Sequence, residues 1–211
     1  MMIAVIGSGG KTTLVKRLAE RYHSEGKTVL VTTSTHMFVE EDTLLTDDAA
    51  QIISALKVKG RVMAGVPDGI KIRPLSKETF DAVCAHADVV LVEADGSRML
   101  PLKYPNATEP VIPEAADEII VVCGLNGLGQ KAKDVCHRLE LVMQHLDITE
   151  STVITPHHVY RLVMDGYVRP LREKYPGKKV TVLPRHDGSP YQRAVAAMLT
   201  AEQDPDLLCR E

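Results

Sequence analysis

The chain opens on an unbroken apolar run, Met2-Ile3-Ala4-Val5-Ile6, that ends at Gly7-Ser8-Gly9-Gly10. A short run without polar alternation, rich in β-branched side chains, predicts a strand covered on both faces. Leu14, Val15, Leu18, Ala19 and Tyr22 then recur at helical spacing, and Gly26 stops the pattern. Residues 28–32 form a second apolar run. Strand, glycine turn, helix and strand read as a βαβ unit, for which parallel pairing with a right-handed crossover is expected.

The alternation continues along the chain. Asp47-Asp48 predicts a helix through residue 56, followed by a strand over 61–66 with 69–72 returning as a hairpin. Ser76 has the form of an N-cap for a helix to about residue 86, with Thr79 where a capping box prefers Glu. Strands follow at 88–93 and 118–123. Between them, residues 94–117 carry Pro101, Pro105, Pro110 and Pro113, and a connection this long predicts a functional or lid-like loop. A single helix is expected over 135–146. Thr155-Pro156 supplies an N-cap and a Pro at N1 for a helix through residue 164. A strand at 180–183 and a helix at 191–201 complete the pattern, with a frayed tail from Gln203. The fold class expected is α/β: one P-loop NTPase-like domain, residues 1–211, with a mostly parallel sheet and helices on both faces.

Composition narrows the function classes. Aromatic residues are 4% of the chain and Trp is absent, so the core must be aliphatic. A net charge of −3 lacks the basic footprint of a nucleic-acid binder, and no polybasic stretch suits a membrane surface. The opening apolar run is too short for a secretory signal and no segment reaches spanning length. Cys84, Cys123, Cys136 and Cys209 are scattered without zinc-like spacing, as expected for reduced thiols in a cytoplasmic protein.

The candidate chemistry lies at the ends of the predicted strands. A phosphate-binding loop needs small residues whose amides turn inward, a Lys for the β- and γ-phosphates and a hydroxyl for Mg²⁺. Gly7, Ser8, Gly9, Gly10, Lys11, Thr12 and Thr13 supply that series where a strand gives way to a helix, whose positive end favours an anion. The full G-x-x-x-x-G-K-[ST] spacing is not met, because its first Gly falls at Val5. A dinucleotide loop is the competing reading. It would need glycine at Thr12, and an acid closing the second strand, where Thr32-Thr33-Ser34-Thr35 stands. A glycine turn without ligand is a further alternative, but it gives no reason for Lys-Thr-Thr.

The run 88–93 ends in Glu93-Ala94-Asp95-Gly96, the form of a Walker B strand. Mg²⁺ takes hard oxygen ligands, so Thr12 and Glu93 are the expected metal residues. Asp95 is the candidate base or substrate contact, and the reverse assignment stays open. Thr35 is a further candidate for the γ-phosphate or Mg²⁺. Arg98 and Lys103 are cations suited to a transferring phosphoryl group or an anionic second substrate. His137-Arg138 could reach the same edge. His36 and the pair His157-His158 are weaker candidates, since adjacent helical residues do not share a face.

With these residues in hand, the chain resembles the YqeC-type selenium-dependent hydroxylase accessory proteins. The likeness runs from Gly7–Thr13 through Thr32–His36, Glu93-x-Asp95-Gly96-Ser97-Arg98, Lys103 and Pro105 to Val122-Cys123-Gly124 and His137-Arg138. It implies a P-loop NTPase-like protein that serves the maturation of selenium-dependent molybdenum hydroxylases, with the hydroxylase or its cofactor-assembly proteins as partners. The loop is also similar to those of Mur-type ligases and metallochaperone GTPases. An Asn-Lys-x-Asp box is missing: the comparable strand ends Leu183-Pro184-Arg185-His186-Asp187, so ATP and GTP both stay open. The function expected is Mg²⁺-dependent binding and hydrolysis of ATP or GTP. The alternatives are a non-hydrolysing, nucleotide-dependent carrier and a small-molecule kinase or ligase.

Overall fold

The structure, a computed structural model, describes residues 1–201, so the tail predicted to fray and Cys209 lie outside the described residues. The chain groups into two compact units. The first comprises Met1–Ile6, Lys11–Gly96 and Pro110–Ile119. The second comprises Gly7–Gly10, Ser97–Glu109 and the chain from Ile120 onward.

In the first unit, β1 (Met2–Gly7) leads to α1 (Lys11–Ser24) and β2 (Val29–Thr33). The short strands β3 (Met37–Phe38) and β4 (Leu44–Leu45) precede α2 (Ala49–Lys59), β5 (Arg61–Asp68), β6 (Lys71–Arg73), α3 (Lys77–Cys84) and β7 (Val89–Glu93). The sheet order is β1-β7-β2-β5-β6-β3, with β4 beside β5. β1 and β2 both run parallel to β7, and β2 runs parallel to β5. The predicted hairpin is present as the antiparallel pair β5–β6. A mostly parallel α/β sheet is therefore the architecture here.

One expectation needs correction: β1 and β2 are parallel but not neighbours, because β7 lies between them. The reason is burial. Every residue of β7 is buried, and its Val89-Val90-Leu91-Val92 run finds apolar partners on both sides only at the centre of the sheet. Glu93 is thereby placed opposite Val5 on one side and Thr33 on the other.

Local chemistry fixes the helix ends. The Asp48 side chain accepts from the amides of Ala50 and Gln51 to start α2, and Gly60, with φ 69°, ends it. Ser76 caps α3 through the amide of Thr79. Helix α1 lies against β7 and β2, burying Leu14, Val15 and Ala19.

The second unit holds β8 (Leu102–Lys103) and most of β9 (Glu118–Gly124), whose first two residues belong to the first unit. Then come α4 (Ala132–Val135), β10 (Cys136–His137), α5 (Leu139–Leu146), α6 (Pro156–Val163), a π-helical turn at Met164–Val168, α7 (Arg169–Lys174), β11 (Lys179–Arg185) and α8 (Pro190–Thr200). β9 neighbours β11, and β8 pairs with β10 in a separate two-stranded sheet.

The single helix expected over 135–146 is broken in two. Cys136 and His137 are extended and pair with Leu102 and Lys103, and Arg138 takes a left-handed turn with φ 57° before α5 begins. Pairing with a distant segment overrides local helical periodicity. By the same pairing, the long proline-bearing loop contains a strand. Thr155 caps α6 as predicted, with the His158 side chain accepting from the Thr155 amide at 3.2 Å. That bond commits His158 to the cap. Among the described residues no group of three or more His, Cys, Asp or Glu is arranged to hold a metal. Among them too, no helix is long and apolar enough to cross a membrane.

Candidate functional site

The loop that ends β1 can be built only from glycine at its key positions. Gly7, Gly9 and Gly10 have φ of 89°, 77° and 124°, a region that L side chains rarely adopt. A Cβ on Gly7 would lie 2.1 Å from the Val122 carbonyl oxygen, and one on Gly9 would lie 2.6 Å from Gly124 Cα. Ser8 is tied down twice: its amide donates to Val122 O at 2.8 Å and its hydroxyl donates to Pro101 O at 2.9 Å. The Ser8 amide is therefore committed to the protein. No described residue accepts from the amides of Gly9 or Gly10. Beside Gly10, the Arg185 side chain approaches to 3.4 Å of where a Cβ would stand.

Two polar pairs follow directly in the first unit. Lys11 Nζ lies 3.2 Å from Asp95 Oδ1, with side-chain exposures of 4% and 0%. Charges buried this completely are kept in a fold only when they are paired. One residue on, Thr12 Oγ1 donates to Glu93 Oε2 at 2.9 Å. Lys11 and Thr12 are held by α1, and Glu93 by the central strand β7. The insertion of β7 next to β1 is thus what joins the acid to the hydroxyl.

The strand-end threonines continue the arrangement. Thr33 Oγ1 donates to Glu93 O at 2.7 Å and accepts from the Thr35 amide at 3.0 Å, while the Ser34 amide donates to Glu93 O. The hydroxyls of Thr32 and Thr35 are buried with no hydrogen-bond partner, so Thr35 presents an unsatisfied oxygen. Thr13 is exposed on the first turn of α1. His36 sits at the surface, 3.3 Å from Asp68.

Arg98 is exposed and belongs to the second unit. There Glu109 Oε2 accepts from Arg138 Nη2 at 2.6 Å and from Lys103 Nζ at 3.3 Å. Burial works to raise the Glu109 pKa, but the Arg138 hydrogen bond and the nearby charges of Lys103 and Arg138 outweigh it and hold it below the usual range. His137 is pushed down, first by burial and then by the charges of Arg138, Lys103 and Arg98. Asp187 is exposed and accepts from the Ser189 amide at 2.8 Å, a bond that occupies it in a turn. The role of Thr33 was visible only as part of a threonine-rich stretch, and nothing in the pattern around Pro110 marked Glu109.

These features can be set against known proteins. Residues 3–140 match the family model described as YqeC protein. The chain belongs to the YqeC family. A relative in that family, "Uncharacterized protein YqeC" of Escherichia coli (strain K12), is 36% identical over 160 residues. That match covers 72% of this chain and 61% of the relative, so the chain spans about three fifths of the relative's length. Among solved structures, the chain is similar to the "MinC:MinD cell division protein complex, Aquifex aeolicus" at 15% identity, with 97% of each chain covered and a TM-score of 0.35.

Proposed function

We propose that this protein binds a Mg²⁺-nucleoside triphosphate, ATP or GTP, on Gly7–Thr13 and hydrolyses it. The observation that carries this reading is the pairing of Lys11 with Asp95 and of Thr12 with Glu93, one residue apart and directly after a loop with two uncommitted amides. A buried lysine at the start of α1, next in sequence to the glycine loop, is of the kind that suits a phosphate oxygen.

The donor set fits the metal as well. A hydroxyl and a carboxylate 2.9 Å apart are hard oxygens of the kind that Mg²⁺ takes, and the Thr35 hydroxyl is a buried oxygen without a partner. Thr12 and Glu93 would hold the ion, which when bound neutralises charge on the β- and γ-phosphate oxygens. Lys11 exchanges its contact with Asp95 for phosphate. Asp95 is then a buried carboxylate released from the ammonium, placed to orient an attacking water or a substrate hydroxyl. Arg98, an exposed cation two residues beyond the Asp95-Gly96 turn, is proposed to act on the transferring phosphoryl group.

The client proposed is a selenium-dependent molybdenum hydroxylase or its cofactor-assembly proteins, supported by the likeness at Glu93-Ala94-Asp95-Gly96-Ser97-Arg98 and Lys103. The test of the site is a calorimetric titration with Mg²⁺ and non-hydrolysable ATP and GTP analogues. Lys11→Ala removes one charge-assisted contact, so affinity should fall by about 1.5–3 kcal/mol. Unchanged affinity refutes the site. If the wild type binds but shows no single-turnover hydrolysis, the carrier reading takes its place.

A further inference from the structure

A cleft of about 180 Å³ lies in the first unit, beside α1 and over β2 and β5. Its walls follow from residue spacing. Lys16, Ala19 and Glu20 stand at i, i+3 and i+4 of α1 and so share one face of that helix. Arg61 and Met63, two apart on β5, share one face of the sheet, where Met63 stands opposite Val31 of β2. Ala19, Val31 and Met63 are buried and give the cleft an apolar floor.

The remaining wall is the turn at residues 40–43. The Glu40 amide donates to Thr43 Oγ1 at 2.8 Å, and the Thr43 amide donates back to Glu40 O at 3.1 Å. The Thr43 hydroxyl donates to Met63 Sδ at 3.2 Å, which fastens the turn to the floor. Glu40 and Asp42 are thereby held at the rim. Glu40 is paired with Lys16 Nζ at 2.6 Å. The other three charges are not paired so closely. Arg61 lies 3.6 Å from Asp42 Oδ2 and 3.9 Å from Glu20 Oε1, both beyond hydrogen-bond length. Among the described residues, nothing hydrogen-bonds the Arg61 guanidinium or the carboxylates of Glu20 and Asp42. One cleft thus offers guanidinium donors and carboxylate acceptors that the protein itself does not use.

That arrangement selects the ligand's charge. A simple cation would suit the two carboxylates but be repelled by Arg61, and a simple anion would suit Arg61 but be repelled by the carboxylates. A ligand carrying both signs satisfies both. We infer that the cleft binds a small aliphatic amino acid. Its ammonium donates to Glu20 and Asp42, its carboxylate accepts from the planar fork of Arg61, and its side chain lies on Ala19, Val31 and Met63. The volume sets the size. About 180 Å³ is the share of about six waters at about 30 Å³ each. It falls short of the about 300 Å³ at which pockets for drug-sized ligands begin, so a nucleotide does not fit. The inference uses none of Lys11, Thr12, Glu93 or Asp95, so it stands or falls apart from the nucleotide reading.

The experiment titrates the full chain with L-alanine, L-valine and L-leucine while following the methyl signal of Met63 by NMR, a reporter on the cleft floor. Isobutylamine and isovalerate, which are valine without its carboxylate and valine without its ammonium, are titrated separately. Saturable movement is expected with at least one amino acid, at an affinity about tenfold or more above that of either half-ligand. Arg61→Gln should weaken it by about tenfold or more, as for loss of a charge-assisted hydrogen bond. Asp42→Asn, at a side chain 62% exposed where folding is not at risk, should weaken it by about two- to fivefold, as for one partner of an exposed ion pair. A Met63 signal that no amino acid moves at high millimolar concentration overturns the inference. Isobutylamine or isovalerate binding as tightly as valine overturns it equally, because one charge would then suffice. So does movement that neither Arg61→Gln nor Asp42→Asn weakens.

Discussion

Replacing Lys11 by Met probes the ion pair and the proposed nucleotide site together. The methionine keeps the stem of the lysine and removes the ammonium that lies 3.2 Å from Asp95, a carboxylate with 0% side-chain exposure. Breaking one side of a pair buried to this degree costs about 3–5 kcal/mol. At about 2–3 kcal/mol per molar urea for a chain of this size, the unfolding midpoint should fall by roughly 1–2 M. The chain has no Trp, so circular dichroism is the appropriate probe. The double variant Lys11→Met with Asp95→Leu should recover most of the loss, since neither charge is then buried. Saturating Mg²⁺-triphosphate at about a hundred times Kd should stabilise the wild type by about 2.7 kcal/mol, and Lys11→Met by only about 0.3–1.3 kcal/mol. A single variant that melts with the wild type, or a double variant no better than the single, refutes the account of the pair.

Gly9→Ala places a Cβ 2.6 Å from Gly124 Cα at a φ of 77°. Strain and overpacking together should cost about 2–5 kcal/mol in urea melts, and Gly10→Ala less, since its neighbour is a flexible Arg185 side chain. Glu109 has a depressed pKa, so its contribution is complete above the unfolded value of about 4.3 and is lost as pH falls through the lower folded value. The stability gap between wild type and Glu109→Gln should therefore close below about pH 4. Burial pushes the thiols of Cys123 and Cys136 up to about 12 and that of Cys84 up to about 11. Iodoacetamide at pH 8, read by peptide mass spectrometry, should modify Cys123 and Cys136 only after denaturant is added.

The elements legible in the sequence were those whose signals are local. The run Met2–Ile6, the helical spacing from Leu14 to Tyr22, the Asp48 and Thr155 caps and the acid at the end of β7 each announce themselves within a few residues. What the sequence pattern did not reveal was sheet order, because parallel strands buried on both faces read alike, and nothing in Val89–Val92 says which strands will flank it. The break at Cys136–His137 was hidden for a related reason. Its cause is pairing with Leu102 and Lys103, more than thirty positions earlier. Within the site, Lys11, Thr12, Glu93 and Asp95 were recognisable as residue types in order. That Lys11 contacts Asp95 and Thr12 contacts Glu93, rather than the reverse, is a matter of register. Glu109 has no motif at all, only a position.

The place of β7 between β1 and β2 bears on how the molecule is made. During synthesis the glycine loop and α1 leave the ribosome long before residue 89, so the two earlier strands have no shared neighbour to join. A truncated or stalled chain ending before Val89 lacks the carboxylates that face Lys11 and Thr12. Assembly of the proposed anion cradle is thereby deferred until the late strand threads into the gap, so under that proposal an incomplete product cannot sequester triphosphate.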